Sequence, residues 1–162
     1  MLEQLKSEFE FISDPSIVII AIRLAGAALL CGLIGYEREI HKNTAGLRTN
    51  MLVGAASACF AIITLTMLNS PLAGEDVQAD PIRLVEAVTN GVAFLAAGIV
   101  VFTQGKVKGL TTGASMWISA AIGLAVGLGY WPIALATTLL GVLILAVLRR
   151  VQFAMGMKEK DE

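Results

Sequence analysis

The sequence predicts an all-α integral membrane protein of five transmembrane helices, with its N-terminus outside and its C-terminus in the cytoplasm. Three observations carry that expectation: a composition poor in charge, five continuous apolar runs, and a lopsided distribution of lysine and arginine. Of 162 residues, 56% are hydrophobic and only 15% charged, and the mean hydropathy is +0.76. A soluble domain is about half apolar and about a quarter charged, so the missing charge points to lipid as the solvent.

Residues 1–16 come first and carry Glu3, Glu8, Glu10 and Asp14 against a single Lys6. A secretory leader opens on positive charge and has a shorter apolar core. This segment is therefore read as an extracytoplasmic arm, and the run after it as a retained span. The apolar runs fall at 17–36, 50–68, 84–102, 110–128 and 132–148, each close to the roughly 20 residues a helix needs to cross about 30 Å of hydrocarbon. They are continuous rather than alternating, which is the pattern of helices and not of barrel strands. Pro132 suits the opening of the last helix, where its missing N–H removes no bond. Residues 17–148 thus form the membrane domain. Residues 149–162 form a short cytoplasmic tail whose first part continues the last helix.

Orientation follows from the basic residues. Segments 37–49, 103–109 and 149–162 hold Arg38, Lys42, Arg48, Lys106, Lys108, Arg149, Arg150, Lys158 and Lys160. The alternate segments hold Lys6, Arg83 and the acidic stretch AGEDVQAD. Cytoplasmic loops are the basic ones, and an odd number of spans delivers that arrangement.

Several function classes receive no support. The net charge of −1 offers no field for nucleic acid. Phosphate-loop, nucleophile-elbow and zinc-protease motifs are absent, as are carboxylates paired for hydrolysis, so no catalytic residue, enzyme activity or cofactor is predicted. Cys31 and Cys59 sit in apolar runs and read as packing residues, and His41 reads as a loop residue. No metal-ligand set is identified.

Two ionisable residues lie inside spans, Arg23 in the first and Glu86 in the third. A charge in hydrocarbon costs roughly 3 kcal/mol and normally faces protein or water. Arg23, Glu86 and Asn90 are the candidate intramembrane polar cluster; the alternative is that Arg23 snorkels and Glu86 lies at the interface. Arg83, Glu86, Asn90 and Phe94 share one helical face. Small residues recur at helical spacing, as in Gly109-x-x-x-Gly113 and Gly123-x-x-x-Gly127. They suit tight packing within the chain, a homo-oligomer such as a dimer, or both.

The densest charge lies between the first two spans, in GLIGYEREIHKNTAGLRTNMLVG. Orientation needs only its basic residues, since acidic ones contribute little. Glu37 and Glu39 are better explained by a structured, salt-bridged turn of Glu37, Arg38 and Arg48, packed near KGLTT with Thr111 and Thr112. Thr49 or Asn50 is placed to cap the second helix.

This stretch resembles the N-terminal membrane domain of the MgtC/SapB family, whose members read GxxIGxERE and then AGLRTHMLVG. Gly35, Glu37, Arg38, Glu39, Ala45 to Thr49 and Met51 to Gly54 match, with Asn50 in place of a histidine. VKGLTTGASMWISAAIGLAVGLG is similar to a second family block, with Lys108 for arginine and Gly113 for alanine. The third span, RLVEAVTNGVAFLAAG, departs more: Glu86 takes an apolar position, Ala87 a glutamine's and Asn90 a serine's. Arg23 matches an arginine common in the family's first span. The resemblance covers 17–148 and has no counterpart of the soluble C-terminal domain of longer members. It implies a multi-pass bacterial inner-membrane protein linked to low-magnesium adaptation and survival in hosts. It further implies a regulator acting on membrane partners such as the ATP synthase, the alternative being an oligomeric Mg²⁺ or H⁺ pathway through Arg23, Glu86 and Asn90.

Overall fold

The computed structural model describes residues 15–69, 81–103 and 106–154. The expected arm up to residue 14, the loop 70–80 and the tail 155–162 lie outside the described residues. The described residues form five helices: α1 (Ile17–Ile40), α2 (Leu47–Leu68), α3 (Pro81–Ile99), α4 (Leu110–Gly127) and α5 (Trp131–Ala154). The first four are long and apolar enough to cross a membrane; the apolar part of α5, Trp131–Val147, is shorter. This is the expected all-α membrane fold.

Each helix stop has a local cause. At the end of α1, Lys42 takes a left-handed conformation with φ 59°. Its N–H donates to the Glu39 carbonyl, and the Asn43 N–H to that of Arg38. Those paired bonds close a Schellman turn, which satisfies carbonyls a helix end leaves orphaned. The same motif ends α4, where Gly129 has φ 86° and the Gly129 and Tyr130 N–H groups donate to Val126 and Ala125. Glycine suits that position because a side chain there would be strained. Trp131 then begins α5, with Pro132 in its first turn as expected.

Between α3 and α4 the chain forms an antiparallel hairpin, with β1 (Val101–Thr103) facing β2 (Lys106–Lys108) and Phe102 opposite Val107. The sequence reading ran the third span to residue 102 and made 103–109 a loop. The run of valines leading into Phe102 is as apolar as a span, but β-branched and aromatic residues favour strand, and α3 stops at Ile99.

α4 is the most enclosed helix, with residues from Thr112 to Gly127 buried against its neighbours. One core cluster joins α1, α2, α4 and α5 through Ala27, Cys31, Ile34, Ala58, Ile122 and Ala134. A second brings Ala61 of α2 and Val88 and Val92 of α3 against Met116, Ala120 and Leu124 of α4. At the α2–α4 crossing the backbones nearly touch: a Cβ on Gly123 would overlap the Gly54 carbonyl oxygen. Lipid tails are as apolar as leucine, so helices in a membrane are held by such close packing and by hydrogen bonds. The Gly123-x-x-x-Gly127 pair therefore serves packing within the chain. Leu29, Leu52, Phe94 and Leu139 stand exposed on the outside, as lipid-facing residues should.

Candidate functional site

The polar chemistry gathers at the end of the bundle where α1 passes into α2 and the hairpin feeds α4. Glu37, Arg38 and Glu39 are consecutive on a helix, so they point in three directions about 100° apart. Arg38 turns inward, is 4% exposed, and donates from Nη2 to Thr112 Oγ1 at 2.9 Å. Glu39 turns toward α2, and its Oε2 accepts from the Leu47 N–H at 2.9 Å. Glu37 turns toward His41, whose Nδ1 lies 2.6 Å from the Glu37 carbonyl oxygen and 3.3 Å from its carboxylate.

Glu39 thus closes the turn onto the start of α2. Glu39 caps α2, where N–H groups are free and the helix dipole favours an anion. Its cap residue, Gly46, makes no side-chain cap bond. Arg48, one position further along α2, is exposed. Thr49 and Thr111 are half-buried nearby. Packing of the loop against KGLTT does occur, through Arg38 and Thr112.

Beneath this turn lies a buried polar thread. Asn50 is fully enclosed; its Nδ2 donates to the Ala45 and Gly46 carbonyls at 3.2 and 2.8 Å, pinning the loop from inside. Its Oδ1 accepts from Ser119 Oγ at 2.8 Å, and the Ser119 carbonyl accepts from Cys31 Sγ at 3.2 Å. Ser115 Oγ donates to the Thr112 carbonyl. Asn50 is thus no N-terminal cap but a cross-brace between α2 and α4. Sequence reasoning missed Glu39, Cys31, Ser115 and Ser119. A signal was available: Thr112, Ser115 and Ser119 recur at three- and four-residue spacing on one helical face.

The opposite end holds the other predicted residues, and the structure separates them. Arg23 donates from Nη1 to the Gly127 carbonyl oxygen at 2.8 Å, and a Cβ on Gly129 would sit 2.8 Å from Nη2. Gly127 ends α4, so Arg23 satisfies an orphan carbonyl at the negative end of a helix dipole. Glu86 and Asn90 lie on the outer face of α3, exposed. α3 packs on α4 and slightly on α2, whereas Arg23 belongs to α1. Within the described residues the three do not form one cluster.

Chemically, the site is a set of hydroxyl, amide and guanidinium groups bonded to one another across α1, α2 and α4. Buried hydrogen bonds of this kind rigidify a core, although the Arg38 Nε and Glu37 Oε2 atoms make no hydrogen bond among the described residues. Among the described residues, no three histidine, cysteine or acidic side chains gather as a metal site.

Comparison with known proteins agrees with the loop motif. The MgtC family model matches residues 24–154. YhiD of Escherichia coli (strain K12), named as a candidate magnesium transporter, is 37% identical over 132 residues, covering 82% of this chain and 61% of that protein. Protein MgtC of Brucella abortus (strain 2308) is 40% identical over 127 residues, or 78% of this chain and 50% of the relative. Protein MgtC of Salmonella typhimurium (strain LT2) is 39% identical over 119 residues, 74% and 48% respectively. The chain thus spans about half to three-fifths of the length of these relatives. No solved structure matches. The matched region takes in α1 from Leu24 onward, the loop, the polar thread and every later helix, and the chain belongs to the MgtC family.

Proposed function

We propose that this chain is a non-enzymatic regulator of the bacterial inner membrane, linked to magnesium homeostasis or low-magnesium adaptation, that acts by contact with membrane partner proteins. The ATP synthase is one such partner. The carrying observation is that, among the described residues, the buried Arg38, Thr112, Asn50 and Ser119 bond within the bundle, with α2 and α4 in backbone contact at Gly54 and Gly123. The exposed apolar sides of the bundle, among them Leu29, Leu52, Phe94 and Leu139, are the surface this supports for contact with partner helices. The name of the Escherichia coli relative YhiD supports the magnesium link. The basic loops support an N-terminus outside and a C-terminus in the cytoplasm, with arm 1–16, membrane domain 17–148 and tail 149–162.

A second reading, an oligomeric Mg²⁺ or H⁺ pathway, draws on the exposed Glu86 and Asn90 of α3, which copies of the chain could turn toward a shared interior. Tagged full-length chain, cross-linked in magnesium-limited cells, separates the two. The regulator reading expects a defined membrane protein to be retrieved, and to be lost when the loop-end network is broken by Thr112→Val. Retrieval of the chain alone, or of the same partner regardless of the substitution, contradicts it.

A further inference from the structure

One face of α3 is at odds with its surroundings. Val88 and Val92 are buried against the bundle. Arg83, Glu86, Asn90, Ala93 and Ala97 recur at alternating three- and four-residue spacing on the opposite face, and all five are exposed. Asn90 lies near the middle of the candidate span Ile82–Ile99. No side-chain hydrogen bond of Glu86 or Asn90 is present among the described residues. An amide turned to lipid at that depth, with the Glu86 carboxylate one turn nearer the surface, is costly and calls for a protein partner. Among the described residues nothing lies within 4 Å of where a side chain on Gly91 or Gly98 would begin, which leaves the flank of the seam open to a close-packed helix.

We propose that α3 is the seam of a parallel homodimer, in which Arg83 of each copy pairs with Glu86 of the other and the two Asn90 amides hydrogen-bond at the axis. Copies inserted in the same orientation are parallel, and a two-fold axis along the membrane normal brings each seam residue to its own counterpart. The seam is complementary to itself in that arrangement. An amide both donates and accepts, and Arg83 and Glu86 lie one turn apart with opposite charge, so the pair forms twice. The three-four spacing is that of helices meeting along a knobs-into-holes seam, where a single asparagine sets register. A different protein would have to supply both complements, whereas a second copy already carries them. The inference needs only a membrane-embedded chain and does not depend on the regulator reading.

The test uses the full chain in bacterial membranes with Cys59→Ser, leaving Cys31 in place. Ala93→Cys and Ala97→Cys report the seam, and Leu139→Cys, exposed on α5, reports the outside of the bundle. Oxidation is expected to yield a dimer from both seam cysteines, several-fold above that from Leu139→Cys. In the Ala97→Cys background, Arg83→Glu or Glu86→Arg alone should weaken dimerisation about tenfold, and the double swap should restore it. Equal cross-linking at Leu139→Cys, no rescue by the double swap, or an adduct whose mass is not twice that of the chain would each overturn the dimer.

Discussion

The Arg38 guanidinium donates to the Thr112 hydroxyl at 2.9 Å, tying the last turns of α1 to the first turn of α4 with both residues buried. Thr112→Val keeps the shape and removes the acceptor from a buried cation. That should cost about 1–3 kcal/mol, while Thr112→Ser should stay close to the parent. Thermal unfolding of the detergent-solubilised chain reads both, and equal effects would show that the hydroxyl is unimportant.

Asn50 and Ser119 should behave as a coupled pair. A double-mutant cycle with Asn50→Leu and Ser119→Ala is expected to give a coupling of about 0.6–1.7 kcal/mol, the range of buried bonds between membrane helices. Asn50→Leu alone should cost more than Ser119→Ala, because it also releases the Ala45 and Gly46 carbonyls. Denaturant unfolding of the four variants measures it.

Arg23 and Glu86 should be independent. Arg23 caps α4 at Gly127 and Glu86 lies on the far side of α3, so the costs of Arg23→Ala and Glu86→Gln should add within about 0.5 kcal/mol. Coupling well above that in the same unfolding assay would mean that the two interact after all.

Lys42 offers a stabilising change. A β-carbon in the left-handed region costs roughly 1–2 kcal/mol, and glycine loses part of that gain to chain entropy. Lys42→Gly should therefore raise stability by about 0.5–1 kcal/mol, and Lys42→Val should lower it. A drop in melting temperature for Lys42→Gly would contradict the Schellman turn.

Much of this fold is legible in the sequence because a bilayer dictates it: apolar length gives the helices. The hairpin at Val101–Lys108 was not legible, since its first strand shares the hydropathy of the helix before it. At the loop, the motif identified the segment, and the contact of Arg38 with KGLTT followed from both entering at one end of the bundle. Which carboxylate caps α2 could not be read, because Glu37 and Glu39 differ only in helical phase. Arg23 and Glu86 were paired by depth alone. Depth fixes height in the membrane but not which neighbour a helix faces, and α3 docks on α4 rather than on α1.

Flux through purified full-length chain in sealed liposomes, read with internal Mg²⁺ and pH indicators, tests the regulator reading most directly. That reading predicts no more flux than in protein-free liposomes, with or without an imposed gradient. Mg²⁺ or H⁺ flux that rises with the amount of protein and disappears in Glu86→Gln would contradict it.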